Sequence, residues 1–94
     1  MDTPRDRTIC ITDAGNVLIP ACLVLRAKGY RVSRSYLGSG LSEWWEADKP
    51  GERFSAENPI ALLGIVAIYE VRGLDWQANE TEFDSMHELY PEIF

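Results

Sequence analysis

From Leu74 onward this 94-residue chain contains six Asp or Glu residues and not one Lys or Arg. Histidine is nearly absent as well, with His87 as its one occurrence, and there are two cysteines, Cys10 and Cys22. The cysteines sit among apolar neighbours without metal-ligand spacing, so they read as two buried thiols of a reducing compartment rather than a disulfide framework. The chain has no G-x-S-x-G, P-loop, dinucleotide-binding fingerprint, H-E-x-x-H or C-x-x-C. It therefore names no catalytic group, no metal site and no cofactor, and an enzyme built on it would have to assemble its site from scattered carboxylates. Long hydrophobic runs are missing too. The most apolar stretch, Pro59 to Tyr69, is eleven residues without a charge, roughly half of the ~20 needed to cross a bilayer. The start, MDTPRDRT, alternates in charge and is followed by no apolar core of signal-peptide type, so residues 1–7 read as an N-terminal arm and the protein is expected in the cytoplasm.

What is present is ordinary for one globular domain spanning 1–94: 46% hydrophobic and 26% charged residues. The net charge of −6 is uneven. Residues 1–36 carry six basic and three acidic side chains, and residues 37–94 carry three basic and twelve acidic ones. An acidic surface opposes generic binding to nucleic acid or anionic lipid, both of which need phosphate neutralisation, and it suits a basic protein partner.

The chain is organised around Ser55–Gly73. Ser55 is expected to cap a helix, Pro59 falls in its first turn, and Gly73 follows its end. Ile60, Leu63, Ala67 and Val71 lie on one side of that helix; Leu62, Ile65, Val66 and Tyr69 lie on the other, so it needs cover nearly all round. Ala61, Gly64 and Ala67 form a strip of small residues suited to close approach by another helix. An earlier helix is expected over Val17–Lys28, capped by Asn16 with Pro20 in its first turn and Gly29 at its end. The alternative is a start at Thr12 with a kink at Pro20. A last, acidic helix is expected from about Glu80 to Tyr90, opened by an Asn79–Glu82 capping box and stopped by Pro91. Trp76, Phe83, Met86 and Tyr90 give it an apolar stripe to lay over the central helix.

Between the first two helices the pattern changes to period two. Tyr30–Tyr36 alternates, placing Tyr30, Val32, Arg34 and Tyr36 on one face. Leu37-Gly38-Ser39-Gly40 reads as a hairpin loop, and Ser42–Asp48 as the partner strand. Lys49-Pro50-Gly51-Glu52 has the order of a type II turn, leading to a short third strand at Arg53 and Phe54. Thr8–Thr12 is a candidate fourth strand. The fold expected is α+β: a small antiparallel meander of three strands, or four with Thr8–Thr12, packed on two buried helices, with the acidic helix at the C-terminal end.

Candidate binding residues follow from the alternation. Trp44 and Trp45 are adjacent in a strand and must point to opposite faces. With Glu43 and Glu46 beside them and Arg34 and Tyr36 on the neighbouring strand, an exposed tryptophan there has the composition of a hot spot for a protein partner. Packing on both faces, or stacking of tryptophan on arginine, is the competing explanation. Arg26, Lys28, Arg31 and Arg34 form a basic cluster that either binds an anion or pairs with Glu43, Glu46 and Asp48. Glu80, Asp84, His87 and Glu88 share one side of the last helix. Yet a single Asp-x-x-His falls short of the paired motifs of dimetal bundles and reads as a solvated face. The function expected is a small interaction module, of inhibitor, immunity or adaptor type. The alternatives are a small-molecule or peptide-binding domain with a pocket near Gly64, Tyr36 and Arg34, an enzyme without a recognisable motif, and a homodimer.

Overall fold

The computed structural model describes residues 8–37 and 42–94. The expected arm 1–7 and the Gly38–Gly40 part of the expected hairpin loop lie outside the described residues. The chain divides into two compact units, Met1–Leu63 and Gly64–Phe94, the division falling inside a helix.

In the first unit, helix α1 (Leu18–Ala27) is followed by strands β1 (Arg31–Leu37), β2 (Ser42–Lys49) and β3 (Glu52–Ala56), and then by the start of helix α2 (Pro59–Arg72). The strands form an antiparallel sheet in the order β1-β2-β3. This is a small α+β fold built on a meander, as the alternating pattern implies. Local rules account for its corners. Gly29, at φ +94°, closes α1. Its N–H donates to Arg26 O at 2.9 Å, and the Tyr30 N–H donates to Leu25 O at 3.1 Å, which is the paired bonding of a Schellman cap. Gly51, at φ +82° after Pro50, supplies the left-handed position that a type II turn between β2 and β3 requires.

Three local expectations are corrected. Thr8–Thr12 is not a strand: it pairs with nothing in the sheet, and Ile9 and Ile11 are exposed. β-branched composition does not make a strand without a neighbour to bond. Asn16 does not cap α1. The N-cap is Val17, with no side-chain cap bond, after a turn in which the Gly15 N–H donates to Asp13 Oδ1 at 3.3 Å. Pro20 sits in the first turn of α1. Ser55 does not cap α2 either; it belongs to β3, pairs with Glu46 and donates to Glu46 Oε2 at 3.4 Å. Asn58 takes the role, its Oδ1 accepting from the Ala61 N–H at 2.8 Å and its carbonyl from the Leu62 N–H at 3.0 Å. Pro59 is then the first residue of the helix, where its missing N–H has no partner to lose.

The core of this unit is small. Ala21 and Leu25 of α1, Tyr30, Ala47, Ala56 and Leu62 are buried, and α1 lies against β1. Tyr30 anchors one end. Its ring meets Phe54 edge to face at 5.8 Å, its hydroxyl donates to Glu52 Oε1 at 2.7 Å, and the Lys49 ammonium sits 4.4 Å from its ring centroid.

The two helices are less covered than their apolar sequences imply. Ile19 and Leu23 are exposed on α1, as are Gly64, Ile65, Ala67 and Ile68 on α2. A Cβ added at Gly64 would meet nothing within 4 Å among the described residues; of the small-residue strip, Gly64 and Ala67 are exposed and Ala61 is half-buried. Cys10 is exposed and Cys22 half-buried, both as free thiols, which corrects the expectation of two buried ones.

The second unit contains the rest of α2 with buried Val66, a single 3₁₀ turn at Gly73–Asp75, and helix α3 (Glu80–Leu89). The capping box is complete: the Glu82 N–H donates to Asn79 Oδ1 at 2.8 Å, and the Asn79 N–H donates to Glu82 Oε1 at 3.1 Å. Arg72 closes on the same carboxylate with both arms, Nη2 to Oε1 at 2.6 Å and Nη1 to Oε2 at 3.1 Å, and also donates to Gln77 O at 3.3 Å. One guanidinium thus ties the end of α2 to the first turn of α3. No residue of α3 is buried. The stripe of Trp76, Phe83, Met86 and Tyr90 that was expected to be covered remains exposed.

Candidate functional site

The strand register sorts the candidate binding residues into two groups. Val32 opposes Ala47, Arg34 opposes Trp45, and Tyr36 opposes Glu43; across the other edge of β2, Ala47 opposes Phe54 and Trp45 opposes Ala56. Directly opposed residues share a face. Arg34, Tyr36, Glu43 and Trp45 therefore stand on the face that also carries the buried Ala47 and Ala56. Trp44 and Glu46 stand on the other, with Ser33, Ser35, Asp48, Arg53 and Ser55. Both tryptophans are half-buried, so neither is the freely exposed one that alternation suggests.

On the first face the four residues form a cluster. The Arg34 guanidinium carbon lies 5.3 Å from the Tyr36 ring centroid and 5.8 Å from that of Trp45. Arg34 Nη1 donates to Glu43 Oε1 at 3.3 Å, a diagonal contact between neighbouring strands. Trp45 stands beside the small Ala56, which leaves room for its ring over the sheet, and the Tyr36 side chain is 56% exposed. Stacking of a guanidinium on aromatic faces contributes about 0.5–1 kcal/mol at an exposed site, and the exposed ion pair contributes less than about 1 kcal/mol. Their larger effect is to hold rotamer-rich side chains in one arrangement. The result is a patch of arginine, tyrosine and tryptophan in which Glu43 balances the charge of Arg34, with guanidinium N–H groups beyond the one given to Glu43 to offer a carbonyl or carboxylate.

The other face is polar. Trp44 opposes Ser35, and Asp48 binds Arg53 through Nε at 2.6 Å. That hydrogen bond, and the charge of Asp48 behind it, raise the Arg53 pKa above its ordinary value. Arg31, Asp48, Lys49, Gly51, Glu52 and Arg53 line a depression of about 490 Å³ at the β2–β3 turn. Four of its five charges pair, Arg53 with Asp48 and Lys49 with Glu52 at 3.8 Å. The basic cluster read from sequence divides in the same way. Arg34 finds Glu43 as expected, whereas Asp48 is taken by Arg53 rather than by Arg31, which faces it in register.

On α3, His87 stacks parallel to Phe83 with centroids 6.4 Å apart, and its Nδ1 meets the main-chain oxygen of Phe94. Among the described residues no group of three or more His, Cys, Asp or Glu is placed to hold a metal ion, and no helix is long and apolar enough to cross a membrane.

The sequence reasoning that selected Trp44 and Trp45 missed the exposed apolar surface outside the sheet. Phe83, Met86, Leu89, Tyr90, Ile93 and Phe94 all remain exposed. The signal was available in the apolar stripe of the last helix, read there as packing. Comparison of the chain with known families, curated proteins and solved structures gives no match.

Proposed function

We infer that this chain is a small interaction module, of the inhibitor, immunity or adaptor type, acting by binding a partner protein in the cytoplasm. The observation that carries it is the open Arg34–Tyr36–Trp45 cluster with Glu43 at the end of the sheet. Arginine, tyrosine and tryptophan are the residues most enriched among interface hot spots, and rings already held against a guanidinium lose little further freedom on binding. The net charge of −6 favours a protein over a nucleic acid as the ligand. The free thiols Cys10 and Cys22 suit a reducing compartment.

The test is affinity capture with the wild-type chain, with Tyr36→Ala and with Arg34→Ala, alongside thermal unfolding of each. A hot-spot truncation is expected to weaken binding by about 2 kcal/mol, roughly 30-fold. Folding stability should change by less than about 1 kcal/mol, because both side chains are solvent-exposed. Capture that is indifferent to both substitutions, or a chain that associates only with itself, would overturn the assignment.

A further inference from the structure

We propose that α3 is a docking helix whose Phe83–Met86–Tyr90 row seats in an apolar groove of a partner protein rimmed by Lys or Arg. The inference rests on the reading of the chain as an interaction module, but not on the sheet cluster.

Phe83, Met86 and Tyr90 follow one another at helical spacing and lie on one side of α3; Leu89 borders them. All four are exposed, Leu89 at 68%. Phe83, Tyr90 and Phe94 are each about half exposed. At ~200 Å² per aromatic side chain they offer on the order of 300 Å² before Met86 and Leu89 are counted. A patch of that size is on the scale of the largest apolar patch of a typical monomer, which is often functional. An amphipathic helix presenting anchors at i, i+3 and i+7 is the ligand of helix-in-groove recognition.

Charge decides the occupant. Glu80, Asp84 and Glu88, at i, i+4 and i+8, flank the row along one edge of the helix, and none of them is paired with a cation among the described residues. Glu82 is held by Arg72. A second copy of α3 packed on this row would set two acidic helices side by side with no Lys or Arg between Leu74 and Phe94 to offset them, and juxtaposed like charge opposes that pairing. A cationic rim turns the same field into attraction and raises the association rate. The helix is also formed in advance, by the complete capping box and the two-armed Arg72–Glu82 pair, so little ordering remains to oppose binding.

The experiment uses the full chain with Leu89→p-benzoylphenylalanine as a photo-crosslinker in lysate of the source cells. Adducts are read by mass spectrometry of the cross-linked peptide. Expected is an adduct with another protein, through a peptide containing Lys or Arg beside apolar residues. Its yield should fall at least about tenfold with Phe83→Ser/Met86→Ser. It should also fall severalfold with Glu80→Gln/Asp84→Asn/Glu88→Gln, and as salt rises from about 50 to 300 mM. Circular dichroism of each variant confirms that α3 is retained, since none of the substituted residues is buried. An adduct of the chain with itself, or one insensitive to neutralising the three carboxylates, overturns the proposal. A partner that requires Arg34 and Tyr36 but cross-links nowhere on α3 also overturns it, while leaving the interaction-module reading standing. Absence of any partner by either route removes both.

Discussion

Replacing Gly64 with alanine tests the openness of α2 directly. Gly64 lies in the interior of a 14-residue helix, Pro59–Arg72, is exposed to solvent, and would place a Cβ in empty space to at least 4 Å. Nothing in the described chain is displaced by the added methyl group. The gain comes from the unfolded state, in which alanine has less backbone freedom to lose, and from better helix propensity; together they amount to about 1 kcal/mol. In urea unfolding followed by far-ultraviolet circular dichroism, with m of about 1–2 kcal/mol/M, the midpoint should rise by about 0.5–1 M. Gly64→Leu sharpens the test, because leucine is nearly as good a helix former as alanine but far larger. On an open face it stabilises to a similar extent, whereas under a close-packed neighbour it costs about 1–3 kcal/mol. A neutral or destabilising Gly64→Ala, or a leucine variant well below wild type, would mean that the Ala61–Gly64–Ala67 strip is covered in solution. The reasoning from an open strip would then be wrong.

Two further outcomes follow from the corrected helix ends. Asn58→Ala should lose about 1 kcal/mol of stability through the bond to the Ala61 N–H, with Asn16→Ala close to neutral because Asn16 caps nothing; equal losses in chemical denaturation would contradict the cap assignment. Glu82 has its pKa lowered, first by the hydrogen bond from Arg72 and then by that from the Asn79 N–H. A depressed folded-state pKa stabilises above the unfolded-state value, and that contribution disappears as pH falls through the lowered folded-state value. The Glu82 carboxyl carbon, followed by NMR, should therefore titrate below the ordinary glutamate range, and Arg72→Ala should move it back up. A midpoint indifferent to Arg72 would refute the pairing.

Local signals determined much of this protein by themselves. The Pro50-Gly51 turn, the glycine end of α1, the Asn79–Glu82 capping box and the alternation that separates Trp44 from Trp45 all act over a few residues. They fix backbone dihedrals and periodicity whatever lies elsewhere in the chain. The capping of α2 was legible too, had Pro59 been placed at the first helical position rather than deeper in the first turn, since the residue before it must then be the cap. What only the tertiary structure decided was everything that needs a partner distant in sequence. Thr8–Thr12 has the composition of a strand but no neighbour to bond. Trp45 rather than Trp44 shares the face of the buried Ala47 and Ala56, because the strand register sets which alternate row faces the core. The apolar residues of α1, α2 and α3 announce a need for cover, yet hydrophobicity is non-directional. Composition states how much surface seeks burial; the packed chain alone shows which part of it, the Phe83–Met86–Tyr90 row included, is still exposed.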